Sequence, residues 1–81
     1  MFVRGNVVRL NERGEKHYDK KYYRKRIEKG RLLIVISYYY KNNTKRYILR
    51  DIYSDLIDKY FEYHLKLCYK TVDDAAKDII H

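Results

Sequence analysis

Residues 31–40 carry no charge after Arg31, and they alternate between two sets of side chains that are both largely apolar. Leu32, Ile34, Ile36, Tyr38 and Tyr40 fall on one face of an extended chain; Leu33, Val35, Ser37 and Tyr39 fall on the other. β-Branched and aromatic residues fit a pleated backbone, and a strand apolar on both faces is usually central and covered twice. The chain must therefore build a sheet around this segment and find two layers to cover it.

Cover is scarce in 81 residues. A chain of this size makes one small domain, 1–81, which excludes a multidomain enzyme and buries only about 60 to 65% of its unfolded surface. Its single cysteine, Cys68, can make neither an internal disulfide nor a Cys-rich zinc site, so the fold closes by packing alone. One helix can cover one face of the central strand. A two-fold partner is the expected cover for the Leu33 and Val35 face, and a homodimer is the expected assembly.

Turn residues partition the remainder. Val7, Val8, Arg9 and Leu10 read as a short strand ending at a turn over 11–14, where Asn11 and Gly14 supply turn chemistry. Residues 17–27 read as a second strand, joined through Gly30 to the third; Tyr18, Tyr22, Tyr23 and Ile27 also recur at helical spacing, so strand and helix both stay open there. Residues 41–44, with Asn42 and Asn43, turn the central strand back into 45–50. Beyond that point the period changes. Ile52, Leu56, Ile57, Tyr60, Phe61, His64, Leu65 and Cys68 lie on one stripe of a helix, opposite Asp55, Asp58, Lys59, Glu62 and Lys66. Thr71 then caps a short terminal helix with Asp73 and Asp74 in its first turn and Val72, Ala75, Ala76 and Ile79 on its apolar face. The expected fold is α+β: an N-terminal antiparallel meander of three or four strands, packed against one long amphipathic helix and a short C-terminal one. Its expected core is Ile34, Ile36, Ile48, Leu56, Ile57, Phe61 and Leu65.

Charge divides the chain unevenly. Residues 1–50 hold fifteen basic side chains against four acidic, a net of +11, while 51–81 hold four against seven, a net of −3; together they give the formal +8. A polyanion would meet the basic sheet half rather than the acidic helical half. Five cations and two rings are packed into Lys20, Lys21, Tyr22, Tyr23, Arg24, Lys25 and Arg26, and Arg31, Lys45 and Arg46 extend the set. Cations neutralise phosphates and release counterions, and tyrosines stack on bases or hydrogen-bond phosphate, so these ten residues form the candidate nucleic-acid-binding site. The terminal helix pair is a poor helix-turn-helix, because Asp73, Asp74 and Asp78 would repel the phosphates.

No catalytic, metal or cofactor set is legible. His17, His64 and His81 share no ligand spacing, and there is neither a phosphate-cradling glycine loop nor a paired-carboxylate motif. Nothing requires an enzyme. No run approaches the roughly 18 apolar residues of a membrane span, and the opening Met1, Phe2, Val3 and Arg4 lack a secretory signal's character, so the expected compartment is the cytoplasm.

The hairpin over 31–50 followed by an amphipathic helix resembles the sheet-plus-helix arm-type DNA-binding modules of integrases, over about half the chain. That resemblance implies a DNA partner in preference to RNA, and it carries over no base-contacting residue. The Lys, Tyr and Ile bias is similar to that of small proteins encoded by viruses and plasmids of hyperthermophilic archaea, which implies a host cytoplasm. The leading expectation is a non-enzymatic nucleic-acid-binding regulator or accessory factor. A virus-type module that engages a host protein is the alternative, and a small ribonuclease toxin, which the size and charge fit but the strands-then-helices order does not, is the third.

Overall fold

The computed structural model of the chain describes residues 1–21 and 31–80, and the side chains of 1–17 and 31–79. It is an α+β fold with seven main elements in chain order: β1 (Val7–Leu10), α1 (Glu12–Lys21), β2 (Leu33–Lys41), β3 (Thr44–Asp51), β4 (Ile57–Phe61), β5 (Leu65–Tyr69) and α2 (Val72–Ile80). A single 3₁₀ turn, Glu62–His64, separates β4 from β5. The five strands form one antiparallel sheet in the order β4-β3-β2-β1-β5.

This order forces curvature. β4 and β5 lie at opposite edges, which a flat sheet would separate by about four strand spacings, or roughly 19 Å. Only three residues join them, so from Phe61 to Leu65 the chain reaches at most about 14 Å. The sheet therefore coils until its two edges approach at that end, enclosing one core. Val8, Leu10, Leu33, Val35, Tyr47, Leu49, Tyr60 and Leu65 fill it, with Phe2 packed against the group and its ring edge-on to Tyr47 at 5.4 Å.

Several expectations are corrected. Of the predicted core only Leu65 belongs to it; the inward face of β2 is the Leu33 and Val35 face, whereas Ile34, Ile36, Ile48 and Phe61 are half-buried and Leu56 and Ile57 exposed. That inward face is covered by the chain itself, so the reason for expecting a two-fold partner there is gone. The long helix over 52–68 is absent: the segment forms a loop, β4, the 3₁₀ turn and β5. Each half of the chain thus contributes strands and a helix, in place of a sheet half and a helical half.

The predicted turn over 11–14 opens α1 instead. Asn11 Oδ1 accepts the Gly14 N–H at 2.8 Å, an N-cap geometry that satisfies a first-turn donor. Its Nδ2 donates to the carbonyls of Tyr63 at 2.9 Å and Leu65 at 3.3 Å, and its own N–H donates to His64 O at 2.9 Å. One side chain therefore starts the helix and pins it to the 3₁₀ turn. The predicted strand over 17–27 is helical through Lys21, and residues 22–27 lie outside the described residues.

The hairpin and the terminal helix form as expected. Asn42 and Asn43, at φ of 53° and 63°, make the two-residue turn with both central residues left-handed that the twist of a hairpin favours. Thr71 Oγ1 accepts the Asp74 N–H at 3.1 Å and caps α2, which packs on β5 with Ala75 buried and Tyr69 donating to Asp78 Oδ2 at 2.8 Å. Val7 points away from the main core and is nevertheless fully buried.

Candidate nucleic-acid interface

From Leu32 to Arg50 the chain contains no acid, and β2 and β3 are drawn almost entirely from that stretch. Side chains alternate across a strand, so half of this basic segment lies on the outer face of the coiled sheet. The register sets three cross-strand rows there: Ile57, Arg50 and Ile34; Lys59, Ile48 and Ser37; Phe61, Arg46 and Tyr39. Each row carries one cation among uncharged neighbours, apolar or aromatic except for Ser37. Among the described residues α1 packs on the 3₁₀ turn and β1, and α2 on β5; on the outer side of the sheet Lys59 and Ile57 of β4 are exposed, Ile57 keeping 55% of its surface, while Arg46, Ile48 and Arg50 of β3 are half-buried.

Ring contacts hold two of these cations, Arg46 and Lys59. The Arg46 guanidinium lies 4.5 Å from the Phe61 centroid, Phe61 stacks on Tyr63 at 5.2 Å and 13°, and Arg13 from α1 sits 4.8 Å from the Tyr63 ring. This column of guanidinium, ring, ring and guanidinium ties β3 to α1. Lys59 Nζ lies 5.9 Å from the Tyr39 ring. Arg46 Nε is buried, and stacking on Phe61 sets the orientation of the guanidinium before any ligand arrives.

The inner side of the hairpin has a different character. Lys45 Nζ lies 4.3 Å from the Tyr38 centroid and 5.0 Å from that of Tyr47, while Tyr38 and Tyr40 meet edge-on at 6.0 Å. The hydrogen bond with Tyr47 holds the Lys45 ammonium above its usual pKa, so it remains a cation. The nearby Glu62 is occupied: the N-terminal ammonium sits 2.9 Å from its Oε2 and, ahead of Lys45, holds its carboxyl below the ordinary value.

The ten predicted site residues are placed as follows. Lys20 and Lys21 end α1, and Tyr22, Tyr23, Arg24, Lys25 and Arg26 lie outside the described residues. Lys45 and Arg46 occupy opposite faces of the hairpin. Arg31 is engaged internally: Nε donates to Asp51 Oδ2 at 2.9 Å and Nη2 to Oδ1 at 2.7 Å, with the guanidinium 5.1 Å from the Tyr53 ring. This pair closes the loop after β3, where Asp51 Oδ1 also accepts the Tyr53 N–H, and the hydrogen bonds from Arg31 hold the Asp51 carboxyl below its usual pKa.

Sequence reasoning missed Tyr39, Arg50, Lys59 and Phe61. The acid-free run from 32 to 50 was a usable signal for the first two. Lys59 and Phe61 were assigned to a helix, and only their pairing with β3 brings them to this face.

His17 stacks on His64 at 4.6 Å, and burial, followed by the charges of His17 and Arg13, pushes His64 down to about 4. Among the described residues no group of three or more His, Cys, Asp or Glu side chains could hold a metal ion, and no helix is long and apolar enough to cross a membrane. No protein-family model matches the sequence, and neither a curated protein nor a solved structure matches it.

Proposed function

We propose that this protein binds nucleic acid without catalysing a reaction on it, through the outer face of β2, β3 and β4. One observation carries the reading: Arg46, Arg50 and Lys59 are interleaved with Tyr39, Phe61 and Ile48 on one sheet face, Lys59 exposed and the others half-buried, in rows that contain no carboxylate. Cations at neighbouring register positions match the closely spaced charges of a phosphate backbone. The apolar and aromatic neighbours lower the local dielectric and strengthen each contact. The +11 charge of residues 1–50, including the run from Lys20 to Arg26, adds long-range attraction for the same partner.

Titration of labelled duplex DNA, single-stranded DNA and RNA at several salt concentrations tests this. The logarithm of affinity falls linearly with the logarithm of salt, by about 0.9 per neutralised phosphate on a duplex. The Arg50→Ala, Lys59→Ala double variant lowers that slope by roughly two units; exposed Lys59 adds little to stability and half-buried Arg50 lies between Ile34 and Ile57, so the thermal midpoint falls by no more than a few degrees. Absence of binding near 50 mM salt, or a slope unchanged in the double variant, overturns the reading.

A further inference from the structure

We infer that the ligand is duplex DNA and that the tip of the β2–β3 hairpin enters its major groove, with Asn42, Asn43 and Thr44 reading base edges. This rests on the nucleic-acid reading above and specifies its partner. The first support is an overhang. β1 pairs with β2 only at Leu33 and Ile34, and β4 leaves β3 at the Arg46–Phe61 pair, yet β2 and β3 continue through Tyr40–Lys45 and Lys41–Thr44 to the turn. Two further pairs and a tight turn project about 10 Å as a bare two-stranded ribbon. The major groove is about 8.5 Å deep and 12 Å wide, and it admits such a ribbon.

The second support is the distribution of charge. Lys45, beside Tyr38 and Tyr47, lies on one side of the ribbon, while Lys41 lies on the other. A nucleic acid that met the outer face alone would leave Lys45, on the inner side, unused. A ribbon standing in a groove meets a phosphate wall on each side, and cations on both sides serve that arrangement.

The third support is the chemistry of the tip. Asn42 and Asn43 are both exposed and both left-handed, a conformation that glycine satisfies equally well. Two amides there place donor and acceptor pairs at the leading point of the ribbon, where an asparagine bonds adenine N6 and N7 and the Thr44 methyl meets that of thymine.

Selection from a random duplex pool tests the inference. The wild type enriches a short motif and binds it between about five- and a hundredfold more tightly than random duplex, the range one good base contact gives. The Asn42→Gly, Asn43→Gly variant retains the turn and the salt slope, and its preference for the motif falls toward one. A second measurement needs no variant: 7-deazaadenine in the selected site, which removes the N7 acceptor, weakens wild-type binding by a similar factor. Equal or tighter binding of single strands, no enriched motif, or a motif insensitive to both changes overturns the inference while leaving the nucleic-acid reading intact. Failure to bind any nucleic acid removes both.

Discussion

Gly14 in the first turn of α1 lies directly against the carbonyl oxygen of His64, so closely that a Cβ built on Gly14 would overlap that oxygen and touch His64 Cβ at 3.0 Å. The obstructing atom is backbone, itself held by the Asn11 N–H at 2.9 Å, and cannot swing aside. Gly14 is therefore the residue that lets α1 dock on the turn between β4 and β5, and the Arg13–Tyr63 and His17–His64 ring contacts depend on that docking.

Gly14→Ala tests this, because two effects oppose each other. Helix propensity favours Ala by up to about 1 kcal/mol, whereas forcing extra volume into a closed contact costs about 1 to 3 kcal/mol. The close approach wins, and the thermal midpoint falls by several degrees. A rise would show that α1 does not rest on His64.

The Arg31–Asp51 pair predicts an acid transition. Asp51 is 2% exposed and its folded pKa lies below the ordinary value, so its contribution is complete above the unfolded pKa of about 3.9 and is lost as pH falls through the folded value. Asp51→Asn leaves Arg31, itself one-third exposed, without its carboxylate and costs on the order of 1 to 3 kcal/mol at pH 7. Urea midpoints should also lose part of their fall below pH 4 in this variant; an unchanged acid limb would relocate the titration to other carboxylates.

A second, higher window belongs to His64. Its folded value of about 4 lies below the unfolded 6.5, so the unfolded chain binds the proton first, and stability falls as pH drops from about 6.5 to 4. The loss is on the order of 1 to 3 kcal/mol. His64→Phe should flatten stability between pH 7 and 5 and leave the Asp51 window in place. A nuclear magnetic resonance titration of His64 near 6.5 would contradict the burial that sets its value.

Cations of the basic segment should separate into two classes. Arg31→Ala lowers stability and leaves the salt slope of nucleic-acid binding unchanged, since its guanidinium is held by Asp51. Replacing Lys20, Lys21, Arg24, Lys25 and Arg26 together lowers the slope by several units. Paired melting and salt titrations of the two variants distinguish these effects; an Arg31 variant that lowers the slope would place its charge in the interface.

Some of the architecture was legible because it rests on local chemistry. Asn42 and Asn43 accept left-handed backbone more readily than most residues, so the hairpin could be read directly. Thr71 followed by Asp73 and Asp74 identifies a capped helix wherever the segment packs. Asn11 was recognised as a special position but given the wrong role. The same oxygen can close a turn or cap a helix, and the bonds from its Nδ2 to Tyr63 and Leu65 span more than fifty residues.

Residues 52–68 show where local reading ends. Tyr60 and Leu65 are buried, and Ile57 and Phe61 flank them at offsets that fit a helical stripe as well as two short strands. Packing decides between them. β3 and β1 each have a strand edge with unsatisfied N–H and C=O groups, and β4 and β5 satisfy both while the 3₁₀ turn coils the sheet around the core. The amino-acid sequence alone determined the basic and acidic segments, the central apolar strand, the hairpin and the terminal helix, because each depends on composition or on neighbours a few residues apart. Only the tertiary structure decided which face of β2 turns inward, and it alone brought Lys59 and Phe61 beside Arg46. Those relationships follow from strand register, which is fixed by pairing between distant segments.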